Sequence, residues 1–86
     1  MQLHVVLNDV RRRKGLSFEQ LAAKSGCSYG CIMDLLRGAT QSPKYSNMVK
    51  ICSALEITLD ELEMLRNLDE NAYIDKLYRM RPCVQA

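Results

Sequence analysis

Apolar residues recur along this chain at helical spacing, and nowhere do they alternate as a half-buried strand would. Leu3, Val6, Leu7 and Val10 share one face of a first helix. The basic run Arg11-Arg12-Arg13-Lys14 closes it, where cations suit the negative end of the helix dipole, and Gly15 stops it. Ser17-Phe18-Glu19-Gln20 reads as a capping box, which starts a second helix at Phe18. That helix carries Leu21 and Ala22 and ends at Ser25-Gly26, where glycine can take the positive φ of a tight reversal.

Ser28 is the next N-cap, and Tyr29 to Arg37 forms a third helix with Ile32, Leu35 and Leu36 inward, ended by Gly38. A polar loop from Ala39 to Ser42 follows, and the residue before Pro43 is pushed away from helical geometry. Met48, Ile51, Cys52 and Leu55 mark a fourth helix. Thr58-Leu59-Asp60-Glu61 repeats the capping-box pattern and opens a fifth, with Leu59, Leu62 and Leu65. After a cap at Asp69, the residues Tyr73, Ile74, Leu77 and Tyr78 form one stripe of a sixth helix, and Pro82 limits its extension. The fold class expected is all-α, five helices plus a C-terminal one, with residues 1–66 as the domain and 67–86 as a helical extension.

Length and charge sharpen this picture. A chain of 86 residues buries only about 60% of its unfolded surface, so a second copy is a natural source of further stability. Residues 1–50 carry eight Lys and Arg against three Asp and Glu (+5), whereas residues 51–86 carry four against seven (−3). One end of the molecule should therefore attract polyanions. No apolar run reaches a membrane-spanning length and the stretch Leu3 to Leu7 is too short for a signal peptide, so a cytoplasmic protein with reduced thiols is expected.

Two short helices joined through Gly26, with a cap at Ser28, make a helix-turn-helix spanning Leu16 to Gly38, whose second helix can enter a major groove about 12 Å wide. The residues Arg11, Gly15-Leu16-Ser17, Gln20-Leu21-Ala22, Gly26-Cys27-Ser28, Ile32, Arg37-Gly38, Pro43, Ile51, Ala54-Leu55, Ile57-Thr58-Leu59 and Leu62 carry a resemblance. In order and spacing, from Leu7 to Leu65, the chain resembles the lambda-repressor and Cro-like helix-turn-helix family, also called the XRE family. The resemblance implies a five-helix fold and a homodimer on a two-fold operator. It further implies a transcription regulator, typically a repressor, of the kind found in phages and other mobile elements.

By the same resemblance, the base-reading positions fall on Ser28, Tyr29, Gly30 and Asp34. Ser17, Phe18, Arg37, Thr40, Gln41 and Lys44 fall near the DNA backbone or the minor groove. Arg37 and Lys44 suit phosphate neutralisation, and Thr40 and Gln41 can hydrogen-bond to phosphates. Four positions depart from the usual pattern. Gly30 has no side chain, and Asp34 can accept only from cytosine N4. Phe18 stands where a polar phosphate contact is usual, and Leu36 where an acidic partner for Arg11 is usual.

Plainer roles stand beside these. Arg11 suits a structural role, Gly30 can relieve crowding or admit DNA close to the backbone, and His4 suits an exposed helix position. Cys27 and Cys31, four apart, lack the familiar metal spacing, and Cys27 and Cys52 fit as buried small hydrophobes. The sequence contains no catalytic constellation and calls for no metal or cofactor, and no small-molecule substrate site is evident in it. The Tyr73, Ile74, Leu77 and Tyr78 stripe is expected at a dimer interface. The competing reading keeps the fold but gives it a protein partner, as in an antirepressor or an antitoxin.

Overall fold

The computed structural model describes residues 2–39 and 44–80. Six helices follow in order: α1 (Leu3–Lys14), α2 (Phe18–Ser25), α3 (Tyr29–Leu36), α4 (Tyr45–Ala54), α5 (Leu59–Asn67) and α6 (Glu70–Arg79). No strand occurs among the described residues, so the protein is all-α as the hydrophobic period predicts.

Local chemistry sets most boundaries. The Ser17 hydroxyl accepts from the Gln20 N–H at 3.1 Å while Gln20 Oε1 accepts from the Ser17 N–H at 2.9 Å, a complete capping box. At Thr58 only half of the predicted box forms: its Oγ1 accepts from the Glu61 N–H, and the Glu61 carboxylate turns to that same hydroxyl. Asp69 caps α6 through the Ala72 N–H at 2.8 Å. Helix α4 starts at Tyr45, three residues before its first buried residue, with Lys44 as an N-cap lacking a side-chain hydrogen bond. Gly26 lies at φ +77°, the left-handed geometry that the reversal between α2 and α3 needs.

The buried stripes meet in one core. Val6, Leu7 and Val10 of α1 join Leu21 of α2, Ile32 and Leu35 of α3, Ile51 and Leu55 of α4, and Leu62 and Leu65 of α5. Each fully buried aliphatic side chain contributes about 1.5–3 kcal/mol, which is what holds helices this short in place. Helix α2 packs on α3 and α4, and α1 packs on α3, α5 and α6. No helix among the described residues is long and apolar enough to cross a membrane.

Helix α6 belongs to this core. Tyr73 is only 2% exposed, and its hydroxyl donates to Asp9 Oδ2 at 2.8 Å. Burial first, then that hydrogen bond and the charge of Asp9, raise its pKa above the ordinary tyrosine range. Tyr73 is thus removed from the interface expected of its stripe. Residues 73 and 74 point about 100° apart on a helix, so docking Tyr73 on α1 leaves Ile74 (43%) and Tyr78 (71%) exposed and Leu77 half-buried.

Candidate nucleic-acid interface

Helix α3 is held from behind and bare in front. Ile32, Leu35 and Leu36 are buried, and the opposite side carries Gly30, Asp34 and Arg37, all exposed. Ser28 caps the helix by accepting the Cys31 N–H at 3.2 Å, and exposed Tyr29 (47%) follows it. The structure therefore places Ser28, Tyr29, Gly30, Asp34 and Arg37 together on the outward part of one short element.

The charged groups at this surface are uncommitted. Neither Asp34, Arg37 nor Lys44 forms an ion pair or a side-chain hydrogen bond among the described residues. Lys44 is exposed at the start of α4. A Cβ built on Gly30 would meet nothing within 4 Å, so relief of crowding within the chain does not explain this glycine. Exposed Ser17, already engaged as a cap acceptor, retains its hydroxyl proton as a donor. Thr40 and Gln41, assigned to the backbone contact by resemblance, lie outside the described residues.

The basic run of α1 is organised differently from a phosphate patch. Arg11 Nη1 donates to the Leu16 carbonyl at 2.7 Å, and its guanidinium lies 4.5 Å from the Phe18 ring centroid. Burial, and secondarily the neighbouring Arg12, lower its pKa from the usual arginine value. Arg12 pairs with Asp9 at 3.9 Å, Arg13 donates to the Tyr78 carbonyl, and Lys14 is buried. Phe18, placed by resemblance among the backbone contacts, is half-buried beneath Arg11 and packs against the core. It ties the end of α1 to the start of α2.

Two asparagines that the sequence reading passed over set the pose of α3. Asn8 Nδ2 donates to the Leu36 carbonyl at 2.6 Å and to the His4 carbonyl at 3.1 Å, and its Oδ1 accepts from Arg11 at 3.5 Å. The bond to Leu36 joins α1 to the last turn of the presented helix. Asn8 lies about 100° round the helix from Leu7, off the apolar stripe of α1, so the hydrophobic period carried no signal for it. Asn47 of α4 donates to the Cys31 sulfur at 3.7 Å, bracing the other end. His4, expected at an exposed position, is half-buried with its ring against Gly38, where an added Cβ would lie 3.0 Å from Nδ1.

Cys52 is buried as expected, and burial pushes its thiol up to about 11. Cys27 is half-buried against the core. Cys27, Cys31 and Cys52 are free thiols. Among the described residues, no group of three His, Cys, Asp or Glu side chains converges on a metal-sized space.

A family model described as a helix-turn-helix domain matches residues 2–65, which is 64 of the 86 residues. The chain belongs to the helix-turn-helix domain family. Within this family member, the turn is Gly26 to Ser28, and α3 is the second helix of the motif. Among curated proteins, the HTH-type transcriptional regulator SlrR of Bacillus subtilis (strain 168) is 38% identical over 52 residues. The match takes in 60% of this chain and 34% of SlrR, so the chain spans about a third of that relative's length. No solved structure matches this helix-turn-helix chain significantly.

Proposed function

We propose that this helix-turn-helix protein is a sequence-specific DNA-binding transcription regulator, a repressor that binds a pseudo-palindromic operator as a homodimer. The observation that carries the reading is the outward set Ser28, Tyr29, Gly30, Asp34 and Arg37 on an α3 buried from behind, with Asp34 and Arg37 unpaired among the described residues. Arg37 and Lys44 neutralise phosphates and supply most of the affinity. Tyr29 meets a thymine methyl or a phosphate, Asp34 accepts from cytosine N4, and Gly30 lets the backbone come close to the duplex. Ile74, Leu77 and Tyr78 join two copies. SlrR is itself named a transcriptional regulator, in keeping with this role.

The test is selection of bound sites from random duplexes, followed by titration of the selected site at several salt concentrations. Binding should weaken steeply as salt rises, because each neutralised phosphate releases counterions. Arg37→Ala and Lys44→Ala should each lower affinity and make the log–log salt slope shallower by about 1. No enrichment of any site, together with no salt-sensitive binding, sinks the proposal.

A second reading has its own observation. Among the assigned base-reading residues there is one carboxylate, one glycine and no cation, and Tyr29, one of the four, is nearly half exposed. A protein partner would suit that surface, as in an antirepressor or an antitoxin. Under that reading the Arg37→Ala, Lys44→Ala double variant keeps its biological effect unchanged.

A further inference from the structure

A groove of about 550 Å³ opens between the end of α1, α5 and α6, on elements other than the presented α3. This size falls within the range of about 300–1,000 Å³ common to small-molecule sites. Lys14 lines it at 9% exposure, and its side chain forms neither an ion pair nor a hydrogen bond among the described residues. Among the described residues no carboxylate pairs with this ammonium, so an anion entering the groove would meet a cation without a counter-charge. Lys76, on the same groove, donates to the Met64 thioether at 3.4 Å, a weak acceptor, and makes no ion pair among the described residues.

The carboxylates that face these lysines are already engaged. Asp75 pairs with Arg79 at 3.2 Å, and Glu61 lies 3.4 Å from the Thr58 hydroxyl. Lys14, Lys76 and Arg79 against Glu61 and Asp75 leave one positive charge uncompensated. The remaining wall is largely apolar, formed by Met64, Leu68 and Met80.

We propose that this groove binds an organic monoanion, a carboxylate carried on an apolar chain. The carboxylate sits on Lys14 and Lys76, and the chain lies along Met64, Leu68 and Met80. This site is independent of how α3 is used.

The experiment titrates the full chain with sodium octanoate, with 1-octanol and with inorganic phosphate in separate series, following the methionine methyl signals by NMR. Octanoate is expected to shift Met64 and Met80 saturably with a Kd at or below about 1 mM. Octanol lacks the charge and phosphate lacks the chain, so each should bind at least about tenfold more weakly. Lys14→Met keeps the apolar stem and should weaken octanoate by about tenfold or more, the size of one lost charge-assisted hydrogen bond. Should that variant fail to fold, Lys76→Met on the half-buried side of the groove carries the same expectation. The proposal is overturned by an absence of saturable shifts with octanoate, or by octanol or phosphate binding as tightly. Octanoate affinity unchanged in the folded lysine variant overturns it equally.

Discussion

Gly30 and Gly38 stand at opposite ends of the presented helix, and their surroundings assign them different work. Gly38 has φ +80°, and an added Cβ would lie 3.0 Å from the His4 ring, so the fold itself demands glycine there. Gly30 sits in ordinary helical backbone with open space where a Cβ would go. Alanine is the better helix former by about 1 kcal/mol in a helix interior, so glycine at this position costs the free protein stability. Gly30→Ala is therefore expected to raise unfolding free energy by about 0.5–1 kcal/mol in urea titration. If duplex DNA uses the vacant space, the same variant binds its selected site about tenfold more weakly, close to the 1.4 kcal/mol that one tenfold step represents. A variant both more stable and undiminished in DNA binding would show that close backbone approach is no part of recognition.

At the scale of elements, helix starts were legible where a short polar side chain closes the first turn. Ser17, Ser28 and Asp69 each make the cap that their position predicts. The start of α4 was not, since Lys44 makes no such bond. Its end was hidden for a different reason. Both α1 and α4 close with paired backbone bonds of the Schellman type: Gly15 to Arg12 and Leu16 to Arg11 in α1, Glu56 to Ser53 and Ile57 to Cys52 in α4. In α1 the left-handed residue is glycine, whereas in α4 it is Glu56 at φ +59°. Left-handed backbone costs a side chain about 1–2 kcal/mol, part of which glycine gives back through its greater unfolded entropy. Glu56→Gly should accordingly be more stable than Glu56→Ala by about 0.5–1 kcal/mol in thermal or urea unfolding. Both variants lose the half-exposed Lys24–Glu56 pair at 3.6 Å, so the comparison isolates the backbone. Equal stability would mean that the turn relaxes to accept alanine. Periodicity also hid contacts between distant elements. It grouped Tyr73 with Ile74 correctly on one helix but carried no information on which of them α1 would cover. The hold of Asn8 on Leu36, 28 residues away, was hidden in the same way.

For the whole molecule, the question is how two copies of α3 would be spaced on a two-fold operator, where half-sites lie about 34 Å apart. Helix α6 is fixed to α1 by the Tyr73–Asp9 hydrogen bond and by Arg13, whose guanidinium lies 5.5 Å from the Tyr78 ring centroid. Its outer side is thereby presented in one orientation, with Ile74 and Tyr78 exposed. Aromatic and aliphatic residues held rigidly at a surface are the kind that interfaces use, because little side-chain freedom remains to be lost. In the proposed homodimer this face joins the copies, and joined copies gain affinity for a two-half-site operator through effective concentration without any new DNA contact. Ile74→Glu with Tyr78→Glu places like charges at the centre of that face without touching Tyr73. The double variant is expected to sediment as a monomer at concentrations where the parent is dimeric, with its melting temperature in dilute solution unchanged. Its affinity for a single half-site should match the parent's, while its advantage on the full operator falls by about 100-fold or more. A parent already monomeric at high concentration, or a variant that remains dimeric, would remove α6 as the joining element.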